Sequence, residues 1–394
     1  MKVIFTLMLA LLPVAAVQAD NIQKNGTGAA APGSSFTFGL FQDIAASDNS
    51  NIIFISPLSA SLALSMTAAG ADGVTRQEML DALGFEGYSI KEVNAYNRGV
   101  MEMFSEKLDG VELNAANSVW ISEMLPVKKK FVRTVRKNYD ALATNLDFTD
   151  PSSPSVINNW CADNTAGRID KMIERIEPTM MMYLLNALYF KGDWQIPFDP
   201  AKSREWTFHG DAADTEVKFM QNTDFFPYYI GPQASILELP YGKKASFVMN
   251  IILPAEGTSV DEFVAGLDSG MLNTLTGLME TGQVKVMMPA FKAEYETSLN
   301  GTLRRMGMGT AFTAMADFSG ISKEPLMISD VKQKTFIEIN EKGSEAAAVT
   351  SVSVMRTTAL PPDYAVFDVD RPFVFLIRER ATGVVLFLGL VRNL

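Results

Sequence analysis

The chain has 394 residues, a net charge of −11 and 47% hydrophobic residues, which suffices for a large core. The acidic balance argues against nucleic acid as a general partner, because phosphate binding requires a basic surface. One cysteine excludes an internal disulfide framework, and one histidine with one cysteine cannot form a zinc site.

The N-terminus has the pattern of a secretory signal peptide over residues 1–19. Lys2 is followed by an almost wholly apolar run, Val3–Val17, and Val17-Gln18-Ala19 supplies the small residues that a signal peptidase reads. Pro13 interrupts the run, which is also short for a membrane span of about 20 residues. We expect cleavage before Asp20, a secreted or periplasmic protein, and no membrane anchor.

Residues 20–35, rich in Gly, Ala and Asn, predict a flexible N-terminal tail. Residues 36–394 contain no repeat, no long linker and no Pro/Ser-rich boundary. We therefore expect a single domain there, since length alone is only a soft guide to domain number.

Helical spacing of apolar residues dominates the first half of this domain. It predicts helices at Phe36–Ala46, Ser59–Ala69, Arg76–Leu83, Glu92–Leu108 and Pro154–Ile176. Gly167 lies near a break in the last helix, and Asn114–Ile121 predicts a strand.

The second half consists of short apolar runs bounded by Pro, Gly or charge. They predict strands at Tyr183–Phe190, Ala234–Leu239, Phe247–Leu253, Val284–Met288 and Thr335–Asn340. Phe373–Ile377 and Val384–Leu390 are apolar on both faces, so Arg378–Gly383 joins them into a buried hairpin. Helices first and strands later indicate an α+β fold around largely antiparallel sheets.

The chain lacks the usual inventory of an enzyme. Its one histidine, His209, lies in the polar segment Phe208-His209-Gly210, where we expect a surface loop, and no Gly-x-Ser-x-Gly turn is present. No Gly-rich phosphate turn occurs either, so we predict no catalysis and no cofactor. Carboxylate-only sites for harder ions stay open. Cys161 follows Trp160 in a helical stretch and is expected to be a small buried apolar residue.

One basic segment departs from the acidic trend. Its charge comes from Lys128, Lys129, Lys130, Arg133, Arg136 and Lys137. We interpret it as the solvated face of a helix, with a polyanion site as the less favoured alternative.

Residues 343–360 carry the functional information. Treated as a strand, one face is small or β-branched, uncharged and free of proline: Ser344, Ala346, Ala348, Thr350, Val352 and Val354. The other face holds Glu345, the only charge before Arg356. Such a strip could enter the middle of a sheet. An Ala-rich helix capped by Ser344 and a flexible linker are the alternatives, opposed by the β-branched run Val349–Val354 and by the sorted faces.

Motifs along the chain resemble the serpin family, in order, from about Phe36 to Leu394. Residues 341–350, Glu-Lys-Gly-Ser-Glu-Ala-Ala-Ala-Val-Thr, resemble the reactive-loop hinge of inhibitory serpins. Further segments resemble the early helix signature, the strand that ends at a breach tryptophan, and the C-terminal strands: 51–59, 185–194, 370–375 and 385–389. Residues 303–319 fit between them.

The resemblance implies a metastable serpin fold with three β-sheets, a large mixed central sheet, about eight or nine helices, and an exposed reactive-centre loop at about 341–362. In such a fold a protease cleaves the loop and is still acyl-linked when the loop enters the central sheet as an extra strand. The expected hinge residues are Glu341, Gly343, Ser344, Glu345, Ala346, Ala347, Ala348 and Thr350. A proline, lysine or bulky residue on the inward face of the hinge would block or slow entry.

The same resemblance assigns a shutter beneath the sheet and a breach at its end. Ser56, Ser59 and Asn186 correspond to the shutter, and Trp194 to the breach. Each of these four could equally be an ordinary core or cap residue. Many relatives have a shutter histidine where this chain has Gln333, whose amide can still bridge Ser and Asn groups.

The scissile bond is expected near residue 357, although the segment before Asp370 is a few residues longer than usual. Cleavage between Thr357 and Thr358 would suit elastase- or subtilisin-like proteases, and Arg356–Thr357 a trypsin-like one. Met355–Arg356 would suit a chymotrypsin-like enzyme. The expected partners are therefore secreted serine proteases, with papain-like cysteine proteases as a further class, and the protein is a monomer that could form loop–sheet polymers. A non-inhibitory serpin acting as a carrier is the alternative, although such members usually have prolines or bulky charges in the hinge.

Overall fold

The structure is a computed structural model that describes residues 32–104, 109–177, 180–344 and 364–394, with the side chains at 115–116 and 186–188 excepted. Within these residues nine α-helices are present. Their bounds are α1 Ser34–Ser47, α2 Pro57–Ala68, α3 Gly73–Ala82, α4 Ile90–Phe104, α5 Lys129–Tyr139, α6 Ser153–Asn164, α7 Val260–Gly266, α8 Ser269–Gly277 and α9 Asn300–Arg305.

The strands of the first part of the chain are β1 Ile52–Ile55, β2 Val111–Ser122, β3 Leu142–Leu146, β4 Met182–Asp193, β5 Arg204–His209, β6 Asp214–Ile230, β7 Ala234–Tyr241 and β8 Phe247–Pro254. Those of the second part are β9 Glu280–Pro289, β10 Phe291–Ser298, β11 Asp330–Asn340, β12 Gly343–Ser344, β13 Ala365–Asp368, β14 Phe373–Glu379 and β15 Val385–Val391.

The central sheet has six strands in the order β10-β11-β12-β4-β2-β3. It is mixed, because β2 pairs with β3 in parallel and β11 pairs with β4 in parallel, whereas its other pairs are antiparallel. This arrangement agrees with the large mixed sheet implied by the sequence motifs.

The remaining strands join into one nine-stranded sheet, β1-β15-β14-β8-β7-β6-β9-β13, with β5 added to β6. The sequence motifs imply a second and a third sheet, which here form one continuous sheet. Strand β6 links them, because its first residues pair with β5, its middle residues with β9 and its last residues with β7. The predicted C-terminal hairpin, β14 and β15, is buried along both strands.

Helix α2 lies between the two sheets and contacts β15 on one side and β2 and β4 on the other. It begins where Ser56 accepts a hydrogen bond from Ser59 N, with Pro57 in the first turn. Eleven of its twelve residues are buried. A helix without a polar face is stable only inside the core, so α2 supports the central sheet from below.

The helix predicted over Pro154–Ile176 is too long. Helix α6 ends at Asn164, because Ala166 and Gly167 have φ values of 50° and 77°. Two left-handed residues in succession end a right-handed helix. The apolar residues that follow, among them Ile169 and Ile173, still pack over the central sheet, which explains why their spacing suggested a longer helix.

Candidate functional site

The central sheet is split along part of its middle, between β4 and β11. The two strands pair directly at Asp330–Lys332 and Tyr183–Leu185. At the other end β12 lies between them and pairs with both. Between these ends, the described pairings include no direct ladder between residues 333–338 and 186–191. We call this stretch the gap.

The breach is the end of the gap at β12, and it has no room for side chains at two glycines. A Cβ on Gly343 would lie 1.9 Å from the carbonyl oxygen of Gly192, and the φ of 153° at Gly343 is one that L side chains rarely adopt. A Cβ on Gly192 would meet the ring of Tyr241 at 2.6 Å. The close approach of β12 to β4 therefore requires glycine on both strands.

Ser344 points into the core, as its predicted face requires. It is fully buried and opposes Ile339 on β11 and Gly192 on β4. Its hydroxyl lies 2.5 Å from the phenol oxygen of Tyr241, and either group can donate the hydrogen bond. The first inward-facing position of the hinge is thus already inside the sheet.

Trp194 closes the breach from the adjoining strand end. Its indole Nε1 donates to the carbonyl oxygen of Asn340 at 2.9 Å, and its backbone N–H donates to Lys342 at 2.7 Å. Its ring stacks on Tyr241 with 4.5 Å between centroids and an interplanar angle of 14°. The breach tryptophan is therefore brought together with the hinge, as the motif implies.

Glu341 anchors the last turn before β12. Its carboxylate accepts hydrogen bonds from Ser203 Oγ, at 2.7 Å, and from the Lys218 ammonium. Burial opposes ionisation of this carboxyl, but the bonds from Lys218 and Ser203 outweigh it and hold its pKa below the ordinary value. A charged side chain thus ties the start of the hinge to β6.

At the shutter, the side chain of Gln333 joins strand β11 to the backbone of Ser56. Its Oε1 accepts from the backbone N–H of Ser56 at 3.0 Å, and its Nε2 donates to the carbonyl oxygen of Ser56 at 2.8 Å. The hydroxyl of Ser56 donates to Leu386 at 2.7 Å and accepts from Ser59 N at 3.3 Å. Gln333 therefore contacts Ser56 through the backbone rather than through its hydroxyl. The backbone of Asn186 pairs with that of Asn117, and the side chain of Asn186 is not among those that the structure describes.

Several predicted site residues lie outside the described residues. They are the hinge positions Glu345, Ala346, Ala347, Ala348 and Thr350, the cleavage-site positions Met355, Arg356, Thr357 and Thr358, and the signal peptide. Of the predicted set, the structure brings together Glu341, Gly343, Ser344 and Trp194 at the breach, and Ser56, Ser59 and Gln333 at the shutter.

The breach also contains functional candidates that the sequence did not single out. Tyr241 and Lys218 contact the hinge, but they are 103 and 123 positions away from Ser344 and Glu341 in the chain. Tyr241 has the sequence context of an ordinary strand-end aromatic after Pro240. The Lys191-Gly192-Asp193-Trp194 run was the one available pointer, because an interior strand glycine often marks a close backbone approach.

The other candidates remain separate from this site. His209 ends strand β5 rather than lying in a loop, and its Nδ1 is 3.0 Å from Asp214 Oδ1 on an exposed surface, because the turn after β5 returns the chain beside it. Cys161 is fully buried, and burial raises the pKa of its thiol to about 12.

The basic segment forms the solvated helix face that we expected. Lys129, Lys130, Arg133, Arg136 and Lys137 are exposed on α5, whereas Phe131, Val135 and Tyr139 face inward. In the described part of the chain no group of His, Cys, Asp and Glu could hold a metal ion. None of the helices described there is long and apolar enough to cross a membrane.

Comparison with known proteins places this geometry in one family. The family model described as Serpin (serine protease inhibitor) matches residues 32–394. An uncharacterized serpin-like protein of Thermococcus kodakarensis is 33% identical over 91% of this chain and 84% of its own length.

Two solved structures extend the comparison. The thermophilic serpin Tengpin in its native state is 34% identical, with a TM-score of 0.85 over 92% of this chain and 93% of its own. Thyroxine-binding globulin in complex with thyroxine is 28% identical, with a TM-score of 0.83 over 92% and 98%.

Proposed function

The chain belongs to the serpin family, whose members are mostly protease inhibitors that bind their target proteases, and on that premise we propose that it is a suicide inhibitor of secreted serine proteases. A target protease cleaves the loop that follows Ser344, at a bond near residue 357, and forms an acyl-enzyme with the new carboxyl end. The loop then enters the gap as an extra strand of the central sheet and carries the protease with it. The catalytic geometry of the protease is lost before water hydrolyses the ester.

The observation that carries this proposal is the register of β12. Its two residues already pair with β11 and β4, and both ladders can be continued along the gap without a shift. A strand continued in this way would place Thr350 between Gln333 and Asn186. It would place Ser351 between Lys332 and Leu185, which pair with each other in the uncut protein. The two walls of the gap are therefore aligned to receive one strand.

The sorted faces of the loop support the same insertion. In the continued register the small inward residues after Ser344 would oppose residues of β11 that all face the core: Ile337, Thr335, Gln333 and Val331. A small side chain can enter between these residues without displacing them. The face with Glu345 would be directed away from the core.

Insertion has a cost at the shutter and a gain along the gap. Beyond residue 350 the loop must replace the direct pairing of Asp330–Lys332 with Tyr183–Leu185. Each inserted residue then gains ladder partners on two sides, at roughly 1 kcal/mol net for each hydrogen bond. The gain grows with every residue that enters, so insertion proceeds to completion once the shutter opens.

The target class is proposed from the loop sequence. Thr357–Thr358 offers elastase- or subtilisin-like enzymes a β-branched residue, and Arg356–Thr357 offers trypsin-like enzymes an arginine. Met355 gives a chymotrypsin-like enzyme a third choice. Papain-like proteases form thioesters in the same way, and we include them in the proposed range. We also propose export through the signal peptide at residues 1–19, which brings the inhibitor to such enzymes.

The proposal is tested by mixing the purified protein with trypsin, pancreatic elastase, subtilisin and papain and separating the products on denaturing gels. We expect an SDS-resistant band at the summed mass with at least one serine protease. Mass spectrometry of the released C-terminal peptide then identifies the cleaved bond. The matched control is Ser344→Arg, since position 344 is fully buried and has no space for arginine. That variant is expected to be cleaved without forming the band.

A carrier function is the second candidate, and the similarity to thyroxine-binding globulin is the observation that favours it. A carrier does not require insertion, so cleavage that gives no SDS-resistant band with any protease in the set would favour the carrier function. That result would overturn the inhibitor proposal. The small uncharged residues of the hinge favour inhibition over this alternative.

A further inference from the structure

We propose that a surface cavity between α4, α5, α6 and β2 binds a short zwitterionic peptide with apolar side chains. The cavity has a volume of about 600 Å³, which lies within the usual range of small-ligand sites, about 300–1,000 Å³. None of its lining residues belongs to the hinge, the breach or the shutter. The site is therefore assigned independently of the proposed inhibition.

Part of the cavity wall is apolar and belongs to the surface of the main core. Phe104, at the end of α4, is 8% exposed, and Met101 and Leu113 are partly buried against the same core. An apolar side chain that covered these three residues would be removed from water together with them. This part of the wall requires a ligand with an apolar group.

Positive charge at the cavity comes from the last turn of α5. Arg136 and Lys137 line the cavity with exposed side chains, and neither has an ion pair or a hydrogen bond to its charged group from another described residue. Arg98, on the neighbouring helix, is instead paired, with its Nε 3.6 Å from Glu102 Oε1. Two adjacent cations without a partner in the described chain fit a carboxylate.

Negative charge lies at the same cavity, where two helices end. Helix α5 ends at Tyr139 and α6 at Asn164, and a helix C-terminus carries a partial negative charge. Asp140 and Asp163 add two carboxylates that have no partner among the described residues. Asp140 follows Arg136 at the spacing at which opposite charges pair on a helix, but its φ of 46° turns it out of the helix. These groups together fit an ammonium.

Two asparagine side chains can bond a peptide group between the two charged ends. The Nδ2 of Asn138 donates to the carbonyl oxygen of Thr134 at 2.8 Å, which leaves its Oδ1 as an acceptor for a peptide N–H. Asn114, exposed on β2, offers both a donor and an acceptor. A simple anion would be repelled by the two carboxylates, and a free amino acid has no peptide group. The lining therefore favours a short peptide over both.

The test is a calorimetric titration of the full-length, uncut protein with leucyl-leucine. We expect one site per chain. N-acetyl-leucyl-leucine lacks the ammonium and leucyl-leucinamide lacks the carboxylate, so each should bind about fivefold more weakly, the upper end of what an exposed ion pair contributes. Glycylglycine keeps both charges but has no side chains and should bind at least about tenfold more weakly. No binding of leucyl-leucine at about 10 mM, or equal binding of the four peptides, would overturn the site.

Charge-removing variants locate the binding in the cavity. Arg136→Gln combined with Lys137→Gln should weaken binding of leucyl-leucine about fivefold, and Asp140→Asn combined with Asp163→Asn should do the same. The matched control combines Lys130→Gln with Arg133→Gln, which removes the same charge from the same helix outside the cavity and should leave binding unchanged.

Two outcomes with these variants would contradict the proposal. Tighter binding in the double aspartate variant would identify a site for a simple anion, because a zwitterion loses an attraction there whereas an anion loses a repulsion. Equal weakening in the control would show that the general charge of α5, not the cavity, holds the ligand. Arg136 and Lys137 also complement the negative end of α5, so circular dichroism of each variant confirms its fold before the titration.

Discussion

The breach and the shutter lie at opposite ends of the same gap, but they are closed by different means. At the breach a two-residue strand fits because Gly343 and Gly192 have no side chains, and the aromatic pair of Trp194 and Tyr241 fills the remaining space. At the shutter the amide of Gln333 bonds twice to the backbone of Ser56.

The difference shows which kind of substitution should disrupt each end. The breach has no free space, so substitutions that add atoms should disrupt it. The shutter is held by polar contacts, so substitutions that remove the bonding atoms should disrupt it. Insertion can begin at the breach without breaking a strand pairing, whereas it must break one at the shutter.

The largest effect is expected from adding one carbon at the breach. Gly343→Ala would place its Cβ against the backbone carbonyl of Gly192, which cannot move aside as a flexible side chain can. Overpacking typically costs about 1–3 kcal/mol, and we expect the upper end or more here. The yield of SDS-resistant adduct should fall by at least about 100-fold. Gly266→Ala is the matched control, because a Cβ there meets nothing within 4 Å. Normal adduct formation by Gly343→Ala would contradict the account of the breach.

The next effect is expected from removing the amide at the shutter. Gln333→Ala leaves the buried N–H of Ser56 without its partner and a cavity beside it. We expect the uncut protein to lose about 3 kcal/mol of unfolding free energy, measured by urea denaturation. Glu338→Ala, on the opposite face of the same strand, should change it by less than about 0.5 kcal/mol. Equal losses in both variants would show that the shutter amide has no special role.

A smaller effect is expected when atoms are removed at the breach. Trp194→Phe keeps an aromatic ring beside Tyr241 but loses the donor to Asn340. We expect a loss of about 2 kcal/mol in unfolding free energy. Trp206→Phe is the control, since Trp206 is 41% exposed on β5 and should change stability by less than about 0.5 kcal/mol. A loss at Trp194 larger than that at Gln333 would reverse the proposed contrast between the two ends.

The smallest effect concerns pH. The pKa of Glu341 is lower in the folded protein than in the unfolded chain, so ionisation of its carboxyl stabilises the fold at pH values above the pKa of the unfolded chain. This stabilisation is lost as the pH falls through the pKa of the folded protein. Because Lys218 is half exposed, we expect less than about 1 kcal/mol. Glu341→Gln should flatten the fall of stability in acid by this amount, and an unchanged acid profile would remove Glu341 from the account.

The sequence predicted the fold where apolar periodicity is strong and regular. Helix α2 and the C-terminal hairpin are correct to within a few residues. Strand β11 ends at Asn340 as expected, but it begins at Asp330 rather than at the predicted Thr335. Strand β10 was missed although Phe291, Ala293 and Tyr295 are buried in strict alternation, a pattern that was available. The predicted helix extended beyond the end of α6, because buried residues after a helix can keep helical spacing without a helical backbone.

Only the part of the site that has a motif of consecutive residues could be predicted from the sequence. The segment Glu341–Ser344 could be singled out because its motif consists of consecutive residues. Gln333 was expected to bridge Ser and Asn groups. It bonds to Ser56, but the bonds run to backbone atoms, which no side-chain pattern reveals. Tyr241 could not be found from sequence, since its role depends on a contact across 103 positions that only the folded sheets create.

The central claim is that the uncut protein holds a gap that the cleaved loop can fill. The most direct measurement is the melting temperature before and after a single cleavage in the loop, followed by circular dichroism. We predict a rise on the order of 10 °C or more, because several residues gain ladder partners on both sides at roughly 1 kcal/mol for each bond. A melting temperature that is unchanged or lower after cleavage would contradict the claim.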